Sequence, residues 1–303
     1  MSPTQLTPAL LPLGRTSLRV SPLAWGMWRF GGQDLQASRA KIEAALEIGI
    51  NFFDTADIYG PDNGEAFGAS EALLGRLFAA DRTLRERMVL ASKGGIQIGV
   101  PYDSSAKYLE QACEASLRRL GVDHLDLYMI HRPDVLTHPS EVAAVLTRLR
   151  EAGKIREAGV SNYTTAQVAA LQAHLSFPLA CHQPEFSPLA IQALEDGVLD
   201  QCVEREIGVM AWSPLGGGRL GDVPEEPRAR RVYDALKTLA DRAGVSVSAV
   251  AYAWVMAHPA RPVPIVGSQS PARIREAADA YQVTLSRTDW YQVLVASRGV
   301  PLP

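Results

Sequence analysis

The feature that most restricts this chain is an alternation of short apolar runs with stretches of helical spacing, repeated to the end of the sequence. Ile50–Asp54 precedes Ala66–Phe78, Met88–Ser92 precedes Ala106–Leu120, and Leu125–Ile130 precedes Glu141–Ala152. Ile155–Ser161 then precedes Thr165–His174, Leu179–Gln183 precedes Ala190–Arg205, Gly208–Trp212 precedes Arg228–Ala243, and Val263–Gly267 precedes Pro271–Ala280. Leu23–Gly26 with Ser38–Ile48 completes eight units. Short runs with little polar face read as strands covered on both sides, the condition of a parallel sheet wrapped in helices. The 303 residues carry no Pro/Gly/Ser linker or charge block, so we expect one α/β domain over 1–303, a (β/α)8 TIM barrel. Leu11–Ala24, turning at Gly14-Arg15-Thr16-Ser17, reads as an N-terminal hairpin, while Val247–His258 and Arg287–Ser297 are extra C-terminal helices.

Composition narrows the function classes. A net charge of -3 gives no basic field for nucleic acid or anionic lipid. The longest apolar run, Ala249–Ala257, is far short of the roughly 20 residues that cross a bilayer. Residues 1–5 lack the basic start and apolar core of a secretory signal, so a cytoplasmic location is expected. Cys113, Cys181 and Cys202 are odd in number and widely spaced, which reads as buried thiols rather than a disulfide frame or zinc site.

Catalytic groups of such barrels stand at the carboxyl ends of the strands, where several of these runs stop at a polar residue. Asp54 ends the second run and Tyr59 follows in the loop; Lys93, His131, Ser161 with Asn162, and Gln183 end later ones. Asp54 or Asp57 alone would equally read as a helix N-cap. A lone His131 would read as a core histidine and a lone Lys93 as a solvated charge, but successive strand ends bring these groups together.

A phenol is a poor acid at neutral pH, and a nearby ammonium lowers its pKa. Lys93 is expected to do this for Tyr59, Asp54 to hold Lys93 charged, and His131 to donate to a substrate oxygen or relay a proton. Together they suit protonation of a carbonyl oxygen as it becomes an alkoxide. No side chain donates hydride, so a cofactor is required.

These residues carry a resemblance. Asn51–Gly60, Ser92-Lys93, Asp126–Pro133, Gly159–Tyr163 and Met210–Gly218 resemble segments of the aldo-keto reductases, and together they span nearly the whole chain. The resemblance implies a hairpin plugging the barrel bottom, an extended nicotinamide cofactor, preferably NADPH, and Asp54, Tyr59, Lys93 and His131 as a catalytic tetrad with Tyr59 as general acid. It implies that Ser161, Asn162 and Gln183 hold the carboxamide and Trp212 stacks on the nicotinamide. Ser213, Pro214, Leu215, Gly216, Gly217 and Gly218 would form a loop at the pyrophosphate, and Gly26, Met27, Gly267 and Glu276 are further expected cofactor contacts.

Gly216–Gly221 also satisfies G-x-G-x-x-G, but two prolines follow where a dinucleotide-binding fold needs a helix. Gly267-Ser268-Gln269-Ser270-Pro271 opens a helix with Ser270 as N-cap. There the resemblance puts the adenosine 2′-phosphate on Ser268 and Arg273, although Gly267 stands where many relatives carry lysine. His182 stands where asparagine is common. Trp25, Trp28, Phe30 and Tyr102 are expected to line a pocket for a small-molecule carbonyl compound. The expected product is an alcohol, made by a monomer or weak oligomer. A redox-sensing barrel like the potassium-channel β-subunits is the competing reading, and a Schiff-base role for Lys93 conflicts with an Asp54 that keeps it charged.

Overall fold

The computed structural model describes residues 9–302. The reading of residues 1–5 as lacking a signal lies outside them. A short antiparallel pair, β1 (Leu11–Pro12) and β2 (Arg19–Val20), comes first. Eight parallel strands then close into a barrel in chain order: β3 (Ala24–Gly26), β4 (Phe52–Asp54), β5 (Val89–Gly94), β6 (Leu125–Ile130), β7 (Ile155–Ser161), β8 (Cys181–Gln183), β9 (Gly208–Ala211) and β10 (Val263–Val266), the last pairing back with β3.

The sequence periods explain both layers. Alternate strand residues such as Phe52, Leu127, Met129 and Met210 fill the lumen, where Leu13, Leu18 and Val20 of the hairpin pack among them. The hairpin therefore plugs the barrel, and Gly14 shows at which end. Its φ is +56°, and a Cβ there would lie 2.6 Å from the Ala180 carbonyl oxygen just before β8, so the turn abuts the amino ends of the strands. The opposite strand residues, including Trp25, Phe53, Leu90 and Tyr128, pack against the helices.

Those helices are α1 (Leu35–Glu47), α2 (Ala69–Ala80), α3 (Thr83–Glu86), α4 (Ala106–Leu120), α5 (Pro139–Glu151), α6 (Thr165–Gln172), α7 (Gln192–Glu195) and α8 (Val198–Arg205). After β9 come α9 (Pro227–Ala243) and α10 (Val247–Met256), and after β10 come α11 (Pro271–Glu276) and α12 (Arg287–Arg298). Two expected helices are divided. Ala190–Arg205 breaks at left-handed Gly197, and Pro271–Ala280 tightens into a 3-10 turn from Ala277. The last helix is pinned through two tryptophans: Trp254 and Trp290 stack with centroids 4.7 Å apart, and each indole N–H donates to the other's carbonyl at 3.0 Å.

Candidate active site

Local backbone geometry aims Asp54, Lys93 and Tyr59 at one point. β4 and β5 pair in parallel with Asp54 opposite Ala91, and beyond β4 the chain stays alongside β5 through Thr55 N–H to Ala91 O and Asp57 N–H to Lys93 O. It then turns at Tyr59-Gly60. A Cβ on Gly60 would lie 1.9 Å from the Ala66 carbonyl oxygen, so only glycine permits this close return. Neither Asp54 nor Asp57 caps a helix: Asp54 ends a strand, and Asp57 is buried in the loop beyond it.

The Lys93 ammonium is fully buried and donates three hydrogen bonds: to Asp54 Oδ2 at 2.8 Å, to Thr55 O at 2.8 Å and to Tyr59 Oη at 3.0 Å. Its donor capacity is filled. The other Asp54 oxygen accepts from Gln183 Nε2 at 3.0 Å. His131, presented at the end of β6, sets its ring edge-on to Tyr59 with centroids 5.9 Å apart. These four side chains meet as the sequence suggests.

Their protonation differs in one respect from the expectation. Burial raises the Tyr59 phenol above its ordinary value; Lys93 pulls it down, Asp54 adds to the rise, and the upward direction wins. The phenol is therefore a protonated acid across the neutral range. Burial also opposes the charge on Lys93, but Asp54 and Tyr59 outweigh it and leave the ammonium pKa raised. For His131, burial and then the Lys93 and Arg132 charges push the imidazole well below its usual value, so it is neutral at pH 7.

A cavity of about 1250 Å³ opens above this group. Asp54, Tyr59 and His131 line one end, Arg273 and Glu276 another, and Ser161, Asn162, Gln183, Trp212, the 213–218 loop, Gly26, Gly267 and Ser268 also line it. Ser161 Oγ donates to Gln183 O at 2.8 Å, and the Asn162 amide donates to Ser161 Oγ at 2.7 Å and to His131 O at 3.3 Å. Asn162 holds a left-handed φ of 59° and accepts the Trp212 indole N–H at 2.9 Å. Trp212 is thereby oriented, with the Arg132 guanidinium 5.6 Å from its ring centre.

The loop after β9 is a run of turns with Ser213, Gly216, Gly217 and Gly218 all at positive φ, and no helix opens at its glycines. Gly216, Gly218 and Leu220 spend their amides on carbonyls within the loop. Ser270 does precede α11, but its side chain makes no capping bond; its amide donates instead to Ser268 Oγ at 3.2 Å. Arg273 is exposed and meets Asp222 at 3.7 Å, whereas Arg275 is taken by Glu47 at 2.6 Å.

Four expected contacts fall elsewhere. Met27 and Phe30 are fully buried in the layer between barrel and helices, because this turn packs back under α1 and α2 instead of facing the lumen mouth. Trp25 is buried with them, edge-on to Phe30 and Phe53, and its indole N–H anchors Ser268 O at 3.0 Å. Tyr102 is exposed and does not line the cavity, although Ile96, with which its backbone pairs, does. Trp28 does line the cavity; its indole N–H donates to Asp62 at 2.8 Å, with Arg29 over its ring at 4.7 Å. His182 is fully buried on the outer face of β8 with neither ring nitrogen partnered, and burial lowers its pKa to about 4.

Sequence reasoning missed several polar residues at the cavity mouth: Arg29, Asp62, Arg132, Glu185 and Arg219. Each follows a strand-end signal by one to several residues, so proximity to Trp28, His131, Gln183 and the glycine loop was the available clue. Lys237 and Tyr252, on α9 and α10, line the far part of the cavity and had no such signal.

The sequence model of the Aldo/keto reductase family matches residues 22–295. Over their full lengths the chain is 53% identical to the 6-dehydroglucose reductase of Novosphingobium aromaticivorans. It is 37% identical to the 6-dehydroglucose reductase of Agrobacterium fabrum, over 93% of this chain and 96% of that one, and 37% identical to the Escherichia coli oxidoreductase YdhF, over 93% and 95%. Among solved structures, a thermostable aldo-keto reductase in complex with the inhibitor epalrestat superposes with a TM-score of 0.80 at 25% identity, covering 95% of this chain and 99% of that one. With its closed barrel, plugging hairpin and family match over most of its length, the chain belongs to the aldo/keto reductase family.

Proposed function

We propose that the protein reduces the C6 aldehyde of a hexose, 6-dehydroglucose, to the alcohol with NADPH. The observation that carries the reaction is the buried Lys93 ammonium shared between Asp54 Oδ2 and Tyr59 Oη. The substrate rests on two relatives named for it, one identical to this chain at 53% of positions. The polar residues Arg29, Asp62, Arg132 and Glu185 that line the cavity suit a hydroxylated substrate.

The residues fit a nicotinamide cofactor: one cavity joins the catalytic group to Arg273 and Glu276, and the turns after β9 bring backbone close to it. When bound, the cofactor supplies the hydride. Ser161, Asn162 and Gln183 would hold its carboxamide, with Gln183 exchanging its bond to Asp54, and Trp212 would give the nicotinamide an aromatic face. Ser268 and Arg273 would take the 2′-phosphate.

On the protein side, Tyr59 delivers its proton to the carbonyl oxygen as negative charge builds there. The Lys93 ammonium, 3.0 Å away, stabilises the resulting phenolate. Asp54 keeps that ammonium in place in a water-poor site. Neutral His131, beside Tyr59 and lining the cavity, donates a hydrogen bond to the same oxygen and orients the carbonyl. NADPH oxidation measured with 6-dehydroglucose and with simple aldehydes tests the reading. Turnover is expected to favour the sugar aldehyde, and no turnover of any carbonyl compound would return the chain to a redox-sensing role.

A further inference from the structure

Trp25 does not line the cavity, yet it holds one of the cavity's walls from behind. It stands in β3 beside β10, and the last paired residues of those two strands are Val266 and Trp25. Two residues past that pair, the Ser268 carbonyl accepts the Trp25 indole N–H at 3.0 Å. The Gln269 side-chain amide donates to the Gly26 carbonyl at 3.4 Å, a longer second tie between the same strand ends. Side chains thus carry the alignment of β10 with β3 beyond the strands and into the 267–270 turn.

The indole has little freedom. Trp25 is fully buried and edge-on to Phe30 and Phe53, with ring centroids 5.4 and 5.9 Å away. An indole offers a single N–H and no acceptor, and here that donor goes to a residue that lines the cavity together with Gly267 and Arg273. From Ser268 the restraint passes forward along the chain. Its Oγ accepts the Ser270 amide at 3.2 Å, and the Ser270 carbonyl accepts the Ile274 amide at 2.9 Å in the first turn of α11, which carries Arg273. Three hydrogen bonds in series therefore join the packed layer outside the barrel to the segment that presents Ser268 and Arg273.

We propose that Trp25 is a positioning residue for recognition of the cofactor's 2′-phosphate: by holding the Ser268 carbonyl, it sets where the Ser268 hydroxyl and the Arg273 guanidinium stand relative to the barrel. Arg273 is exposed and meets Asp222 at 3.7 Å, a surface contact too weak to place it. Its position comes from the backbone beneath it. Hydrogen bonds to a phosphate weaken steeply as distance and angle drift, so a turn freed from β3 would read the phosphate less well. The residues proposed for the nicotinamide end, Ser161, Asn162, Gln183 and Trp212, stand at the ends of β7, β8 and β9 and do not depend on this turn. Loss of the Trp25 bond is therefore felt by a cofactor that carries the 2′-phosphate and not by one that lacks it.

The inference rests on the reading that Ser268 and Arg273 take the 2′-phosphate, and the test separates the two. Trp25→Phe removes the indole N–H and keeps an aromatic ring in the packed layer. Calorimetric titration with NADPH and with NADH is expected to show NADPH binding weakened about two- to tenfold, the net effect of one hydrogen bond, and NADH binding within about twofold of wild type. Phe30→Leu, which loosens the same packing without touching the N–H, should lower the melting temperature yet keep the wild-type ratio of the two affinities. Equal weakening of both cofactors in Trp25→Phe, no weakening of either, or the same change of ratio in Phe30→Leu overturns the proposal. Arg273→Ala titrated alongside tells the failures apart. If it weakens NADPH and NADH equally, the phosphate is not read at this turn and the underlying reading falls with the proposal; if it weakens NADPH alone while Trp25→Phe does not, the role of Trp25 alone is overturned. Should Trp25→Phe not fold, NMR spectra of wild type with isotope-labelled indole nitrogen decide: the Trp25 resonance is expected to move further with NADPH than with NADH, and equal movement or none overturns the proposal.

Discussion

The Lys93 ammonium donates to the Tyr59 hydroxyl at 3.0 Å while Asp54 holds the same ammonium at 2.8 Å. Desolvation alone would neutralise a fully buried lysine, and the two oxygens prevent this. The phenol pKa is nonetheless raised, because burial outweighs the cation. In the proposed reaction the ammonium acts chiefly after proton transfer, by lowering the energy of the phenolate.

Lys93→Met removes that cation and leaves Asp54 as a buried charge without a counter-ion. Breaking such a pair typically costs about 3–5 kcal/mol, so the melting temperature and kcat should both fall. Adding Asp54→Asn should recover stability without recovering activity. Thermal melts and steady-state rates on the single and double variants check this; a double variant that is fully active would contradict the role of Lys93.

Arg273→Ala is expected to weaken NADPH by about ten- to a hundredfold and leave NADH nearly unchanged, since a charged hydrogen bond contributes roughly 1.5–3 kcal/mol. Asp222, 3.7 Å from Arg273, must yield to the phosphate, so Asp222→Asn should tighten NADPH. Fluorescence titration of both cofactors separates the cases. Equal weakening of NADPH and NADH in Arg273→Ala would show that the 2′-phosphate is read elsewhere.

The barrel was legible because its signals are repeated. Ala106–Leu120, Leu125–Ile130 and Ile155–Ser161 agree with the structure to the residue, each having a strong period and a clear stop. The convergence of Asp54, Lys93 and His131 was legible because a polar residue ending a buried strand must face the open end of a barrel, and that of Tyr59 because it follows in the loop directly beyond Asp54. Residues in turns were less so. Trp25, Phe30 and Tyr102 are aromatics near strand ends, yet the side of the turn each takes depends on packing under α1 and α2 or on the Ile96 bridge, which no period encodes. The direction of the Tyr59 shift was missed for a related reason: the sequence names its charged neighbours but not how deeply the site is buried.

Asp289 provides a pH-dependent test of the closing helix. Its bonds to Arg242 at 2.7 Å and to Ser286 depress its carboxyl pKa from 3.8 to about 2. A depressed folded-state pKa contributes stability that is present above the unfolded value and is lost as pH falls through the folded one. Asp289→Asn should therefore melt below wild type at pH 7, with the gap closing between about pH 4 and pH 2. A gap that persists unchanged at pH 2 would place the effect in packing rather than charge.

The central claim is that Tyr59 is the proton donor. Single-turnover reduction of 6-dehydroglucose by NADPH, compared between wild type and Tyr59→Phe with cofactor affinity measured in parallel, tests it most directly. The account predicts a rate lower by roughly 10²–10⁴ with NADPH affinity unchanged. A Tyr59→Phe variant that keeps more than about a tenth of the wild-type rate would contradict it.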